Sequence, residues 1–512
     1  MSRRPVRSAI ATLAAAAAFT VACSAPAPVA ADLVITHASI WTGNPAQPSA
    51  SALAIIGDRI VDVGDDRAIE RWRGGDTVVI DAEGRRLVPG FNDAHVHFAD
   101  GGTALDNVDL RDADSQAEFV RRISERVKAR QGEWIVGGAW DNTRWRPATL
   151  PTRQMIDDAT NGTPVFVTRY DGRTGLANSA ALGRAGVTTA TADPHGGAIV
   201  RDPATGFPTG VLTDAAMSLV AQVIPKTSPE RRVQIVKRAL EYAASMGVTS
   251  VQDMNPDPED VSVLADLAER GELTTRVYAA MSDAAWYDQA KLGIHRAFGS
   301  PWLRIGAVVG LADDGLVAET TPTAEMRIRL MAADHAGLQL SLQADTQAGV
   351  SRALSLFDEV AQANGKRDRR ARIEHAGSLA PHEVERLAAL DVIASIQPAR
   401  DITTDALRRL LDGGVRLAIG TDWSIAPLNP MLALYAAVTV QKMSIAEAMK
   451  AYTNGSAFAE FQEGQKGTLA RGRLADLVIL SDDIFSIPAA RLRDVHVLTT
   501  IVGGRVVHRR NP

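Results

Sequence analysis

Pro89-Gly90-Phe91-Asn92-Asp93-Ala94-His95-Val96-His97 is the stretch on which the reading of this chain turns. After the Pro-Gly turn the run reads as a short strand. Residues i and i+2 of a strand face the same side, so the His95 and His97 imidazoles converge on one point. Neutral imidazole is a common zinc ligand, with Zn–N distances of about 2.0–2.1 Å. Taken alone, the pair also fits two half-exposed strand histidines, and the flanking sequence has to decide.

Upstream, from Asp32 to about Leu87, the pattern is β-like: Leu33-Val34-Ile35, Ala54-Ile55-Ile56, Ile60-Val61-Asp62-Val63 and Val78-Val79-Ile80. Gly57-Asp58 and Gly64-Asp65 supply turn signals between them. The same texture returns in Ala475 to Leu480 and Thr500 to Val507. This predicts one small β-sandwich built from both chain ends, residues 32–88 with 466–512. Residues 89–465 instead alternate short apolar runs with helix-period segments. Val233 to Met246 reads as a helix before the strand Gly247 to Asp253, and Leu338 to Leu342 as a strand before the helix Val350 to Ala363. Ala371 to His375, Val392 to Ile396 and Leu417 to Gly420 continue the series. The number and unbroken order of these βα units favour an α/β fold with a closed (β/α)8 TIM-like barrel over a doubly wound sheet. A Gly-rich, aromatic-bearing stretch over 134–225 is less periodic and reads as an insertion near the barrel mouth.

Composition agrees. With 512 residues there is room for a barrel and a second domain, and 46% apolar with 22% charged residues excludes wholesale disorder. The formal charge of -5 gives no ground for a nucleic-acid partner. Cys23 is the sole cysteine, so the body of the chain has no disulfide framework, Cys nucleophile or thiolate zinc site.

The first thirty residues read as an address. Arg3, Arg4 and Arg7 form a positive region before an apolar run from Ala9 to Ala22, shorter than the about 20 residues a bilayer span needs. Small residues from Ala25 to Ala31 offer cleavage sites, so residues 1–31 are expected to be a signal peptide directing export from a bacterial cytoplasm. Thr20-Val21-Ala22-Cys23 resembles the lipobox of bacterial lipoproteins, with Thr20 where that motif prefers Leu. Cys23 is then the expected lipid anchor of a periplasmic, membrane-attached protein; the alternative is ordinary cleavage near Ala31.

The string from Pro89 to His97 resembles the first-strand signature of the metal-dependent amidohydrolase superfamily. Further matches follow in the family's order: Gly247 to Asp253, Ile373-Glu374-His375, Ile396-Gln397-Pro398, Ile419-Gly420-Thr421-Asp422-Trp423, Ala451-Tyr452-Thr453-Asn454, Gly467-Thr468-Leu469, Gly472 to Val478 and Val502 to Val506. Asn178 to Leu182 and Thr205 to Leu212 are similar to the branch containing N-substituted formamide deformylases. The resemblance implies a barrel beside a small β-sandwich, with a metal at the C-terminal face and hydrolysis of amide or other C–N bonds of a small molecule. It matches His95, His97 and Asp422 to metal ligands and His375 to the histidine after a later strand. A metal lowers the pKa of bound water from 15.7 to around 7. Asp422 can ligate, orient that water and take its proton, and His375 can polarise the substrate carbonyl and protonate the leaving nitrogen.

Two departures matter. Binuclear relatives carry a carboxylated lysine bridging two metals, and the matching position here is Val309 or Gly310, depending on a one-residue slip. The next metal histidine of the family is replaced by Gln343. A neutral amide is a poor substitute for imidazole on a transition metal. The economical expectation is one divalent ion, zinc, on His95, His97 and Asp422, with Gln343 or His375 as a fourth contact. The competing expectation is a catalytically silent binding protein; an esterase or deaminase on the same fold is a third. In the insertion, Trp140, Trp145 and Tyr170 are candidates to line the substrate pocket. Arg173, at a position where the branch often has histidine, is a candidate for pairing with a substrate carboxylate.

Overall fold

The computed structural model describes residues 29–130, 132–313, 324–400 and 406–510. Cys23 and most of the expected leader lie outside them. Eight strands form the centre: β1 (Phe91–Val96), β2 (Val248–Met254), β3 (Arg276–Ser282), β4 (Leu303–Leu311), β5 (Gln339–Gln343), β6 (Arg372–Glu374), β7 (Ile393–Ile396) and β8 (Leu417–Ile419). They pair in parallel in that order. The ring closes where Val96 bridges Trp423 and the Asp422 N–H donates to the His95 carbonyl at 2.8 Å. The sequence expectation of a (β/α)8 barrel is met.

Strands buried on both faces need two kinds of partner. Outward residues such as Val248, Val308, Leu342, Ile373 and Ile419 join the helices in one large apolar core. The helix Pro229–Ser245 shows how the outer layer forms. Ser228 caps it by accepting from the Arg231 N–H, Pro229 occupies the first turn, and Ile235, Val236, Ala239, Leu240 and Ala243 make the buried stripe. Inward residues include a small apolar cluster, Met254, Ala280, Ala307 and Val309, and polar side chains bonded across the lumen, as buried polar groups require. Glu460 Oε1 accepts from Asn92 Nδ2 at 2.7 Å and lies 2.7 Å from Lys466 Nζ, while Arg304 pairs with its other oxygen. Tyr278 donates its hydroxyl to Gln339 at 2.9 Å.

The two chain ends do meet in one β unit. Leu477–Leu480 pairs antiparallel with Arg86–Pro89 and with Val497–Val502. Leu33, Ile35, Leu53, Ile55, Leu87, Leu477, Ile479 and Ile501 fill its core. It is tied to the barrel by a buried bidentate pair, Arg276 at the start of β3 with Asp476, at 2.8 and 2.9 Å.

A separate six-stranded sheet runs from Val108 to Asp214. It begins well before Trp134, at Val108, and packs against the helix Gln116–Ala129 through the buried stripe of Phe119, Ile123 and Val127. Trp140 and Trp145 belong to this unit's own core. Both are fully buried, 6.2 Å apart and packed edge-on to Phe119. The expectation that they line the substrate pocket is corrected: their large apolar area is what holds the small sheet against its helix.

Candidate metal centre

β1 delivers His95, and His97 follows directly after its last residue; each ring is oriented by its Nδ1. His95 Nδ1 meets Glu374 Oε2 at 2.9 Å in a fully buried pair, and His97 Nδ1 meets the Met254 carbonyl at 3.0 Å. Acceptors on both Nδ1 atoms place the protons there and leave both Nε2 lone pairs free. The two Nε2 atoms lie 3.6 and 3.5 Å from Asp422 Oδ1. Asp422 reaches this point because Gly420 lets β8 press against β1; a Cβ on Gly420 would stand 2.5 Å from the His95 nitrogen. Asp93 completes the seam, its Oδ1 accepting from the Thr421 N–H at 2.9 Å and its Oδ2 from the Tyr452 hydroxyl at 2.9 Å.

This donor set fits a divalent metal. One atom from each of His95, His97 and Asp422 lies within 4.8 Å of the others. His95 Nε2 is buried with no hydrogen-bond partner among the described residues, an arrangement that costs free energy unless something binds it. Glu374 behind His95 is the carboxylate that orients a ligating imidazole and raises its basicity. Burial would raise the Glu374 pKa, but Arg372 and the bond from His95 outweigh it and hold the group ionised. Burial likewise opposes ionisation of Asp422, and His97, His95, His375 and Arg400 reverse it.

His375 does not join the three-residue group. Its ring stands edge-on to His95, centroids 4.6 Å apart, with Nδ1 accepting from Arg400. Burial first, with the Arg400 guanidinium beside it, pushes its pKa down to about 3, so the ring is neutral and carries its proton on Nε2. Asp422 and His375 both follow strand ends with left-handed backbone, φ 60° and 63°, a conformation that costs a non-glycine residue free energy.

Two further sequence candidates lie outside the three-residue group. Arg173 is largely exposed, its Nε 2.7 Å from Asp214 Oδ1, so its charge is already paired. Tyr170 is 59% exposed and carries the Arg169 guanidinium over its ring at 4.9 Å. Gln343 ends β5 on the inward face shared with Gln339 and Ser341, in register with Leu311 and Glu374. Sequence reasoning passed over Glu374 and Arg400. The first had a signal, an acid beside His375 in a strand otherwise reading as buried. Arg400 had none, being joined to the site only through space.

A parallel barrel with two histidines at the end of its first strand and an aspartate after its last is the frame of this candidate site. The chain belongs to the amidohydrolase family, whose sequence model matches residues 78–508. It is 33% identical to Protein LONG AFTER FAR-RED 3 of Arabidopsis thaliana over 549 aligned residues, covering 94% of this chain and 92% of that one. It is 24% identical to the N-substituted formamide deformylase of Arthrobacter pascens, covering 94% and 98%. Among solved structures, an uncharacterized metal-dependent hydrolase from Pyrococcus horikoshii superposes with a TM-score of 0.72 at 24% identity, covering 90% of this chain and 99% of that one.

Proposed function

We propose that the chain is an exported amidohydrolase that cleaves an amide, formamide or related non-peptide C–N bond of a small molecule at a one-zinc site. The observation that carries the reading is the orphaned, carboxylate-backed His95 Nε2 beside His97 and Asp422. When bound there, the metal makes a water molecule nucleophilic at neutral pH. His95 and His97 would hold it through Nε2 and Asp422 through Oδ1. Asp422 takes the proton of the attacking water on the carboxylate that Arg400 keeps oriented through Oδ2, 2.6 Å away. Neutral His375 donates a hydrogen bond from its Nε2–H to the scissile carbonyl oxygen, and Asp422 passes the proton it took from the water to the departing nitrogen. The one-metal reading is supported by Val309 and Gln343, which bring neither a bridging anion nor an imidazole. Export and anchoring at Cys23 rest on the leader sequence alone.

Metal analysis of purified protein and an amide and formamide screen test the reading together. About one equivalent of zinc is expected, with turnover of at least one such substrate and near-complete loss in Asp422→Asn and His95→Ala. Undiminished turnover in both variants sinks the mechanism. Folded protein that takes up no metal supports the silent binder suggested by Val309 and Gln343.

A further inference from the structure

The one-metal reading leaves half of the site without a cation, and the structure fills that half with Arg400. Strand alternation settles which residue stands for the absent lysine. Val309 points inward among Met254, Tyr278, Ala280 and Ala307, whereas a side chain on Gly310 would run outward into Met326 and Leu342. Val309 on β4 and Gln343 on β5 are both neutral. Beside them remain the His375 ring and the second oxygen of Asp422, and both face one group. Arg400, just after β7, donates from Nη1 to Asp422 Oδ2 at 2.6 Å and to His375 Nδ1, and from Nη2 to Asp345 Oδ1 at 3.0 Å.

Resting on that one-metal reading, we propose that the Arg400 guanidinium is the resident second cation of the site and excludes a second metal ion. The exchange conserves charge. A carboxylated lysine with a dication contributes a net single positive charge, and so does a neutral valine with a guanidinium. A fixed cation also takes no loading step and keeps one geometry, since its planar fork meets carboxylates in defined directions. Asp422 is thereby divided: Oδ1 faces the two histidines and Oδ2 is committed to Arg400.

The test is zinc affinity by chelator competition, with metal counted per folded chain, on the full-length protein and on Arg400→Lys and Arg400→Ala. A competing cation lowers the affinity of a neighbouring dication, so Arg400→Ala should bind zinc tighter by about tenfold or more, and Arg400→Lys should stay near wild type. A contact that merely positioned Asp422 would give the opposite sign, and weaker binding in Arg400→Ala overturns the proposal. The second arm restores the ligands of the lost metal in bicarbonate buffer. V309K/Q343H should still hold one equivalent with Arg400 present and two once Arg400→Ala is added. Two equivalents with Arg400 in place, or one in the triple variant, also overturn it. No metal on wild type would instead bring down the metal reading beneath it.

Discussion

Glu374→Gln probes how the metal centre is built. The Glu374 carboxylate receives His95 Nδ1 at 2.9 Å and Ser341 Oγ at 2.6 Å, faces Arg372 Nε at 2.8 Å, and is fully buried. Glutamine keeps the size and one acceptor but loses the charge that makes the imidazole a stronger ligand. Loss of such a supporting partner costs 10- to 100-fold in metal affinity, about 1.4–2.7 kcal/mol. His97 offers an internal contrast, since its Nδ1 leans on a neutral carbonyl. Glutamine is preferred over alanine because removing one member of a buried pair costs about 3–5 kcal/mol by stranding the other, here Arg372. The assay is zinc affinity by chelator competition, with thermal melting of metal-free protein as a control for folding. Unchanged affinity in a variant that melts like wild type would refute the assignment of Glu374 as the group that orients His95.

Trp145→Ala should destabilise the inserted sheet by about 3–5 kcal/mol while leaving metal content per folded chain unchanged; a large KM change with an unaltered melt would return Trp145 to the substrate pocket. Glu460→Ala strands Lys466 and Arg304 in the barrel floor and should cost about 3–5 kcal/mol, read as a lower denaturation midpoint. Asp253 is buried beside its Phe98 N–H donor, and burial pushes its pKa from 3.8 up to about 7. The folded chain therefore holds a proton between those values that the unfolded chain has released, so this group's contribution to stability falls as pH rises through that window and levels off above it. In metal-free protein, Asp253→Asn should gain on wild type between pH 4 and 8, by at most on the order of 4 kcal/mol. An equal melting difference at both pH values would contradict this.

Much of this protein follows from local pattern. Strand alternation put His95 and His97 on one side, Gly-Thr-Asp after the last strand put Asp422 at the mouth, and the β texture of both ends suggested one small β domain. These are short-range regularities, legible because period-2 and period-3.6 spacing translate directly into faces. The aromatic residues of the insertion misled for the same reason. Nothing local distinguishes a tryptophan lining a pocket from one filling a small core, and burial decided for the core at Trp140 and Trp145. Arg173 likewise found Asp214, a partner that only the antiparallel pairing of its own sheet brings near. The decisive electrostatics lay beyond any motif. Glu374 acts on His95 across the lumen, and Arg400 reaches Asp422 and His375 from a neighbouring strand end. The residues present come from the sequence alone; which charges face each other comes from closure of the barrel, because Coulomb interactions depend on distance in space and on burial from water.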